Sequence, residues 1–189
     1  NEAWPDLKRW SETTIPAGGG PRYLSDDIIL AAAEFHTAAA QLAELKRSQP
    51  GDDCMTVWTT AEVDGSPLTQ DEIVSEALLL LDGGAETTRN VIAAGIFLLS
   101  QHPDQRQLLI DDPSRIPTAV EELIRYVTPI LNMRRTATRD VELHGQLIRE
   151  GDEVLLMYSS GNRDEAVFED PQRFDVTRSP NNHIAFGFG

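Results

Sequence analysis

One long helix is the sequence feature that most constrains the fold, and it is predicted for residues 69–101. Thr69 and Glu72 form a capping box, S/T-x-x-E, which marks the start of a helix. An apolar pattern follows and continues to about Leu99, after which Pro103 ends the helix and opens another. The pattern therefore predicts a long helix that is buried in the folded protein.

The centre of this helix holds a run of small and polar residues, 83–88, with the sequence GGAETT. Each interior glycine costs about 1 kcal/mol relative to alanine. Gly83 and Gly84 would let a flat or bulky group approach the backbone, and a threonine hydroxyl that bonds back to the preceding turn would loosen the helix locally. The adjacent Glu86 and Thr87 suit proton relay to a bound ligand. A helix crossing point that tolerates polar residues explains the run equally well.

The rest of the chain predicts a mainly α fold with a small β region. Helical spacing indicates an amphipathic helix over 25–48, and Pro117 suits the first turn of a further helix that reaches Tyr126. Short β-like runs follow at 135–143 and 153–158, forming one small sheet. The chain is expected to be a single domain over 1–189, divided into a helical and loop region 1–68, the long helix 69–101, helices 102–129, the β region 130–160 and an irregular segment 161–189.

The composition argues against several classes of protein. Sixteen Lys and Arg against 31 Asp and Glu give a net charge of −15, which disfavours nucleic acid and anionic lipid as partners. A lone cysteine, Cys54, excludes an internal disulfide framework and fits a reducing compartment, so a cytoplasmic protein is expected. The longest apolar run, 77–81, is far shorter than the roughly 20 residues of a membrane span.

Three arginines carry alternatives that their local sequence leaves open. Glu122 and Arg125 can pair at i, i+3 on one helical face, either as solvated surface charges or as part of a Glu-Arg-Arg network completed by Arg173. Arg173 is otherwise a loop arginine in water. Arg135, which enters a strand, is either an edge charge or a clamp for an anion.

The end of the chain combines a histidine with closely spaced glycines. Gly187 and Gly189 stand two residues apart behind Phe186, which indicates backbone held in special geometry near another group. His183 by itself is typical of a structural histidine.

In this order and with this spacing, the motifs resemble those of the cytochrome P450 family. Residues 83–88 resemble its oxygen-activating helix motif, 122–125 its E-x-x-R, 171–174 its P-E-R-F region and 186–189 the start of its haem loop, F-G-x-G-x-H/R-x-C-x-G. The resemblance is strong over 69–189 and weaker back to Trp10. It corresponds to the C-terminal half of a usual member, so a partial P450 fold with a long central helix, an E-x-x-R helix, a short sheet and a meander is expected.

The resemblance implies roles around a haem b cofactor. Glu86 and Thr87 would be the acid and alcohol that deliver protons during oxygen activation, with Gly83 and Gly84 making room for oxygen and substrate. The other implied positions are structural or cofactor-binding: Glu122, Arg125 and Arg173 form the structural network; Arg135 and His183 contact haem propionates; Phe186, Gly187 and Gly189 belong to the haem loop.

Two departures from the family pattern stand out. Gln172 replaces the glutamate of P-E-R-F, a frequent variation in that turn. The axial cysteine of the family would be the fourth residue after Gly189, so no residue of this chain is expected to bind the iron. Cys54 lies far upstream without the loop that aims a thiolate at the metal. The chain alone is therefore expected to be inactive.

The implied function is an oxidoreductase, a bacterial-type monooxygenase that inserts one atom of O2 into a lipophilic substrate such as a sterol, a fatty chain or a terpenoid. Ile130, Leu131 and Met133 would border the substrate cavity. Electrons would come from NAD(P)H through a ferredoxin and its reductase or a similar donor. Two alternatives remain: a family member that uses peroxide directly, and an acidic helical interaction domain without cofactor, in which Glu122 and Arg125 are surface decoration.

Overall fold

The computed structural model describes residues 3–15 and 24–187, and the chain divides into two compact units. The N-terminal unit covers residues 1–86 and the C-terminal unit covers 87–189. Gly189 lies outside the described residues. Within the described residues helices dominate and the strands are short, so the predicted class, mainly α with a small β region, is confirmed.

The N-terminal unit is built mainly from helices, and several of them begin at a side-chain cap. It contains α1 (Trp4–Thr14), α2 (Asp26–Ser48), α3 (Cys54–Thr60), the strands β1 (Glu62–Val63) and β2 (Ser66–Pro67), and the first half of α4. The Ser25 side chain accepts a hydrogen bond from the Ile28 N–H, and that of Asp53 accepts one from Thr56. The amphipathic helix predicted for 25–48 is confirmed.

The core of this unit is apolar and lies along one face of α2. Phe35, Ala39 and Ala43 are buried at intervals of four residues, as a helix facing a core requires. The Trp10 ring meets the Phe35 ring edge-on at 5.8 Å. An apolar cavity of about 780 Å³ adjoins this core.

Helix α4 (Gln70–Gln101) begins with the predicted capping box. The Thr69 N–H donates to Glu72 Oε2 at 2.7 Å, and the Glu72 N–H donates back to Thr69 Oγ1 at 3.3 Å. The helix then runs without interruption through Gly83 and Gly84, so local loosening there does not break it. Among the described residues, no helix is both long and apolar enough to cross a membrane.

The C-terminal unit continues with α5 (Pro103–Asp111), a 3₁₀ turn (Pro113–Arg115) and α6 (Ile116–Val127). Helix α6 ends at Thr128, whose backbone is left-handed with φ 45° and whose N–H donates to the Ile124 carbonyl at 2.8 Å. The buried core of the unit consists of Ala119, Phe174 and Val176, with apolar side chains of α4, α5 and α6 packed around it.

The β region consists of two separate ribbons where the sequence predicted one sheet. Strand β3 (Met133–Thr136) pairs antiparallel with β6 (Glu153–Leu156), and β4 (Val141–Leu143) pairs with β5 (Gln146–Ile148). The chain leaves the β3–β6 ribbon after Thr136. It then reverses direction between β4 and β5 at Gly145, where φ is 76°. Tyr158 also departs from the prediction, because it begins the short helix α7 (Tyr158–Gly161) and not the end of a strand.

Candidate functional site

The GGAETT run lies in the middle of α4. A Cβ added to Gly83 or Gly84 would meet no other atom within 4 Å, so there is open space beside both glycines. Glu86 and Thr87 are half-buried and follow directly on the same helix. Burial raises the pKa of Asp82, one residue before the run, while the Thr14 hydroxyl at 3.4 Å acts to lower it.

The C-terminal unit contains a fully buried ion pair on α6. Glu122 and Arg125 both have no exposed surface. The Arg125 Nε donates to Glu122 Oε2 at 2.7 Å and its Nη2 donates to Oε1 at 2.8 Å, which is bidentate geometry. A buried pair of this kind is not a solvated surface decoration, so the alternative that treated it as one loses its basis.

Three further groups donate to the Glu122 carboxylate. They are the Asp175 N–H at 2.9 Å, the Arg178 Nε at 3.1 Å and the Asn181 Nδ2 at 3.3 Å. Together with Arg125 they surround a buried carboxylate with donors, which offsets the cost of removing it from water. The second guanidinium on Glu122 therefore belongs to Arg178.

The expectation that Arg173 completes the network is wrong. The Arg173 side chain is 62% exposed and lies 3.9 Å from the Asp175 carboxylate. Its contribution is the backbone carbonyl, which accepts hydrogen bonds from Arg125 at 3.2 Å and from Arg178 at 3.1 Å. Nothing in the local sequence distinguishes these arginines, because both stand in an irregular segment without periodicity.

Arg125 and Arg178 also bind backbone carbonyls of the irregular segment. The Nη1 of Arg125 donates to the carbonyls of Asn162 at 2.7 Å and Pro171 at 2.9 Å. Arg178 donates to the Glu169 carbonyl at 2.7 Å. The residues that carry these carbonyls lie 37 or more positions after Arg125 in the chain, yet the network holds them against the C-terminal half of α6.

Asp175 is the acidic neighbour of this network. Burial acts to raise its pKa, but hydrogen bonds from the hydroxyl and N–H of Thr177 and the charges of Arg173 and Arg178 outweigh burial and lower the pKa of Asp175 overall. The carboxylate therefore stays ionised beside the two arginines.

The end of the described chain turns sharply at Gly187. Its φ is 80°, and an added Cβ would lie 2.8 Å from the Tyr158 hydroxyl oxygen, so the predicted special geometry is present there. Phe186, one residue earlier, is 80% exposed.

His183 is occupied within the chain. Its Nε2 lies 2.9 Å from the Glu121 carboxylate, and its Nδ1 accepts the Ala185 N–H at 3.3 Å. With both ring nitrogens engaged within the chain, neither is left for the propionate contact expected from the sequence.

Comparison with known proteins identifies the family. The model of the family "Cytochrome P450" matches residues 115–189. Linalool 8-monooxygenase of Pseudomonas putida is 41% identical over 189 residues, which is 100% of this chain and 47% of the relative. The chain belongs to the cytochrome P450 family.

Further P450s extend this agreement. Steroid C26-monooxygenase of Mycobacterium tuberculosis is 47% identical over 144 residues, 76% of this chain and 39% of the relative. A Mycobacterium marinum cytochrome P450 in complex with pseudoionone superposes with a TM-score of 0.85 at 39% identity, covering 99% of this chain and 46% of that one. The chain thus spans about half the length of the P450s that it matches.

The described residues of this P450 fit haem in part. Open space beside Gly83 and Gly84 admits a flat group, and the exposed Arg135 on β3 offers a planar guanidinium to a carboxylate. Residues 3–15 and 24–187 contain no cluster of His, Cys, Asp and Glu suited to a metal. Cys54 is exposed at the start of α3.

Proposed function

We propose that this chain is part of a haem-thiolate monooxygenase that transfers one atom of O2 to a lipophilic substrate. The observation that carries the proposal is the similarity, along all 189 residues, to a protein named linalool 8-monooxygenase. The overall reaction consumes the substrate, O2, two electrons and two protons, and it yields the hydroxylated product and water. The protein must therefore deliver protons to a pocket that otherwise excludes water.

Haem b would be held by residues that match the haem-contacting positions of the family. When bound, the haem supplies the centre at which dioxygen is reduced. Gly83 and Gly84 would leave room beside its face, and the Arg135 guanidinium would pair with a propionate. Phe186, Gly187 and Gly189 would belong to the loop that carries the cysteine ligand of the haem iron in the family.

Proton delivery is assigned to Glu86 and Thr87. The Thr87 hydroxyl can accept a proton from one side and donate one to the other, and the Glu86 carboxyl can replenish it. Their half-buried position in mid-helix supports this role, because it limits access of bulk water. The network of Glu122, Arg125 and Arg178 would not touch the reacting atoms. Its role would be to hold the irregular segment that leads to the haem loop.

We base the proposed substrate on the names of the relatives and on exposed apolar side chains, and the proposed electron donor on the chemistry of the reaction. The matching proteins are named for linalool, steroid C26 and methyl-branched lipid oxidation, which supports a lipophilic substrate. Leu131 and Met133 expose apolar side chains that suit such a molecule. We assign electron supply to NAD(P)H through a ferredoxin and its reductase, or a similar donor, in the cytoplasm.

The test is the coupling of electron consumption to product in the full-length protein. Thr87→Ala should lower product formed per NAD(P)H consumed several-fold and raise hydrogen peroxide, because oxygen reduced by two electrons then takes up two protons and leaves as H2O2 before its O–O bond is cleaved. The matched control is Thr88→Ala, which removes a hydroxyl from the next residue, at an exposed position. It should leave the product formed per NAD(P)H consumed unchanged. Equal coupling in both variants would exclude Thr87 from proton delivery. Turnover with peroxide but not with electron donors would favour the peroxide-using alternative.

A further inference from the structure

Asn162 is fully buried at the C-terminal end of α7, and both ends of its side chain are hydrogen-bonded. Its Nδ2 donates to Thr128 Oγ1 at 2.9 Å. Its Oδ1 accepts the Ile184 N–H at 2.7 Å. One amide group thus links the residue that ends α6 to the segment that enters the glycine turn.

The same residue closes a ring of hydrogen bonds with α6. Arg125 Nη1 donates to the Asn162 carbonyl at 2.7 Å, and the Thr128 hydroxyl donates to the Arg125 carbonyl at 2.6 Å. Thr128 is held in the left-handed region with φ 45°. The Arg125 hydrogen bond holds the Asn162 backbone against α6 independently of the Thr128 hydroxyl, so Asn162 has a defined position from which its Oδ1 receives Ile184.

Helix α7 also contacts this segment on either side of the Ile184 hydrogen bond. A Cβ on Gly161 would lie 2.7 Å from Ile184 Cδ1, and a Cβ on Gly187 would lie 2.8 Å from the Tyr158 hydroxyl oxygen. Both values are shorter than carbon atoms tolerate, so backbone and side chains meet closely at both places. Residues 158–162 therefore form the surface on which residues 184–187 lie.

We propose that Asn162 is a positioning residue that sets the backbone of residues 184–187 and thereby aims the loop that follows. The inference rests on the proposed function, because aiming matters only if that loop carries the haem ligand. Asn162 touches no reacting atom. A purely structural Asn162 would stabilise the protein without affecting how the loop presents its thiolate.

Three variants separate positioning from stability. Thr128→Val removes the hydroxyl on the α6 side and leaves the Ile184 hydrogen bond in place. Asn162→Ala removes both side-chain bonds. Asn162→Asp is the conservative variant. It keeps an oxygen that can accept the Ile184 N–H, so residues 184–187 should stay in position.

The first measurement is hydrogen exchange of the Ile184 amide in the full-length holoprotein. Asn162→Ala should accelerate exchange by roughly threefold to tenfold, as loss of one buried hydrogen bond implies. Thr128→Val and Asn162→Asp should stay near the parent rate. Equal rates in all four proteins would overturn the proposal.

The second measurement is the Soret band of the ferrous carbon monoxide complex, which reports thiolate ligation without turnover. Asn162→Ala should shift a larger fraction of the band to the shorter wavelength typical of a lost thiolate, and Thr128→Val should not. A shift of equal size in Thr128→Val would overturn positioning in favour of general destabilisation. A parent protein without the thiolate band would refute the proposed function itself, while the Ile184 exchange result would still decide whether Asn162 sets the backbone.

Discussion

Arg178 lies 56 residues after Glu122 in the chain, yet its Nε donates to Glu122 Oε2 at 3.1 Å. The same guanidinium donates to the carbonyls of Glu169, Asp170 and Arg173. Arg178 therefore joins the buried carboxylate of α6 to the turn that precedes Arg178 in the chain. Arg173 stands closer to α6 in sequence but points its side chain outward.

Substitution of the two arginines should therefore have unequal effects on stability. Arg178→Ala removes a charged hydrogen bond to a buried carboxylate and should lower the free energy of unfolding by about 1.5–3 kcal/mol. Arg173→Ala removes an exposed side chain and should change it by less than about 0.5 kcal/mol. Urea unfolding of the full-length protein measures both. Equal losses would show that Arg173 belongs to the network after all.

The capping box of α4 predicts a pH-dependent contribution to stability. The N–H of Thr69, followed by its hydroxyl, lowers the pKa of Glu72 below its ordinary value of 4.5. A carboxyl with a lowered folded pKa stabilises the fold above the unfolded value, and the contribution is lost as pH falls through the folded value. Glu72→Gln should therefore remove part of the decline in melting temperature below pH 4.5.

The control for that experiment is Glu76→Gln, which removes a charge from an exposed position of the same helix. It has no part in the capping box. If both variants flatten the acid limb equally, net charge rather than the cap accounts for the effect.

The turn at Gly187 predicts a steric coupling with Tyr158. Gly187→Ala should destabilise the protein for two reasons: a left-handed backbone costs a residue with Cβ about 1–2 kcal/mol, and the new methyl group meets the Tyr158 hydroxyl. Tyr158→Phe in the same chain should recover the steric part and leave the backbone part. A double-mutant cycle on urea unfolding measures the coupling. Zero coupling would mean that the hydroxyl does not limit this turn.

Several elements could be predicted from the sequence because their signals are local. The Thr69–Glu72 capping box and the helix boundary at Pro103 each involve residues within three or four positions of one another. The motif order along the chain was also sufficient to indicate the family, which the comparisons confirm. The β region was predicted in kind, but its division into two ribbons was not, since strand pairing depends on non-local hydrogen bonds.

The sequence by itself determined where the long helix begins, where the special glycines stand and which residues carry charge. Tertiary structure alone decided that Glu122 and Arg125 are buried, that Arg178 rather than Arg173 joins them, and that His183 faces Glu121. The physical reason is distance along the chain. A cap or a turn forms from neighbouring residues, whereas a buried charge acquires its partners only after segments tens of residues apart have packed and excluded water.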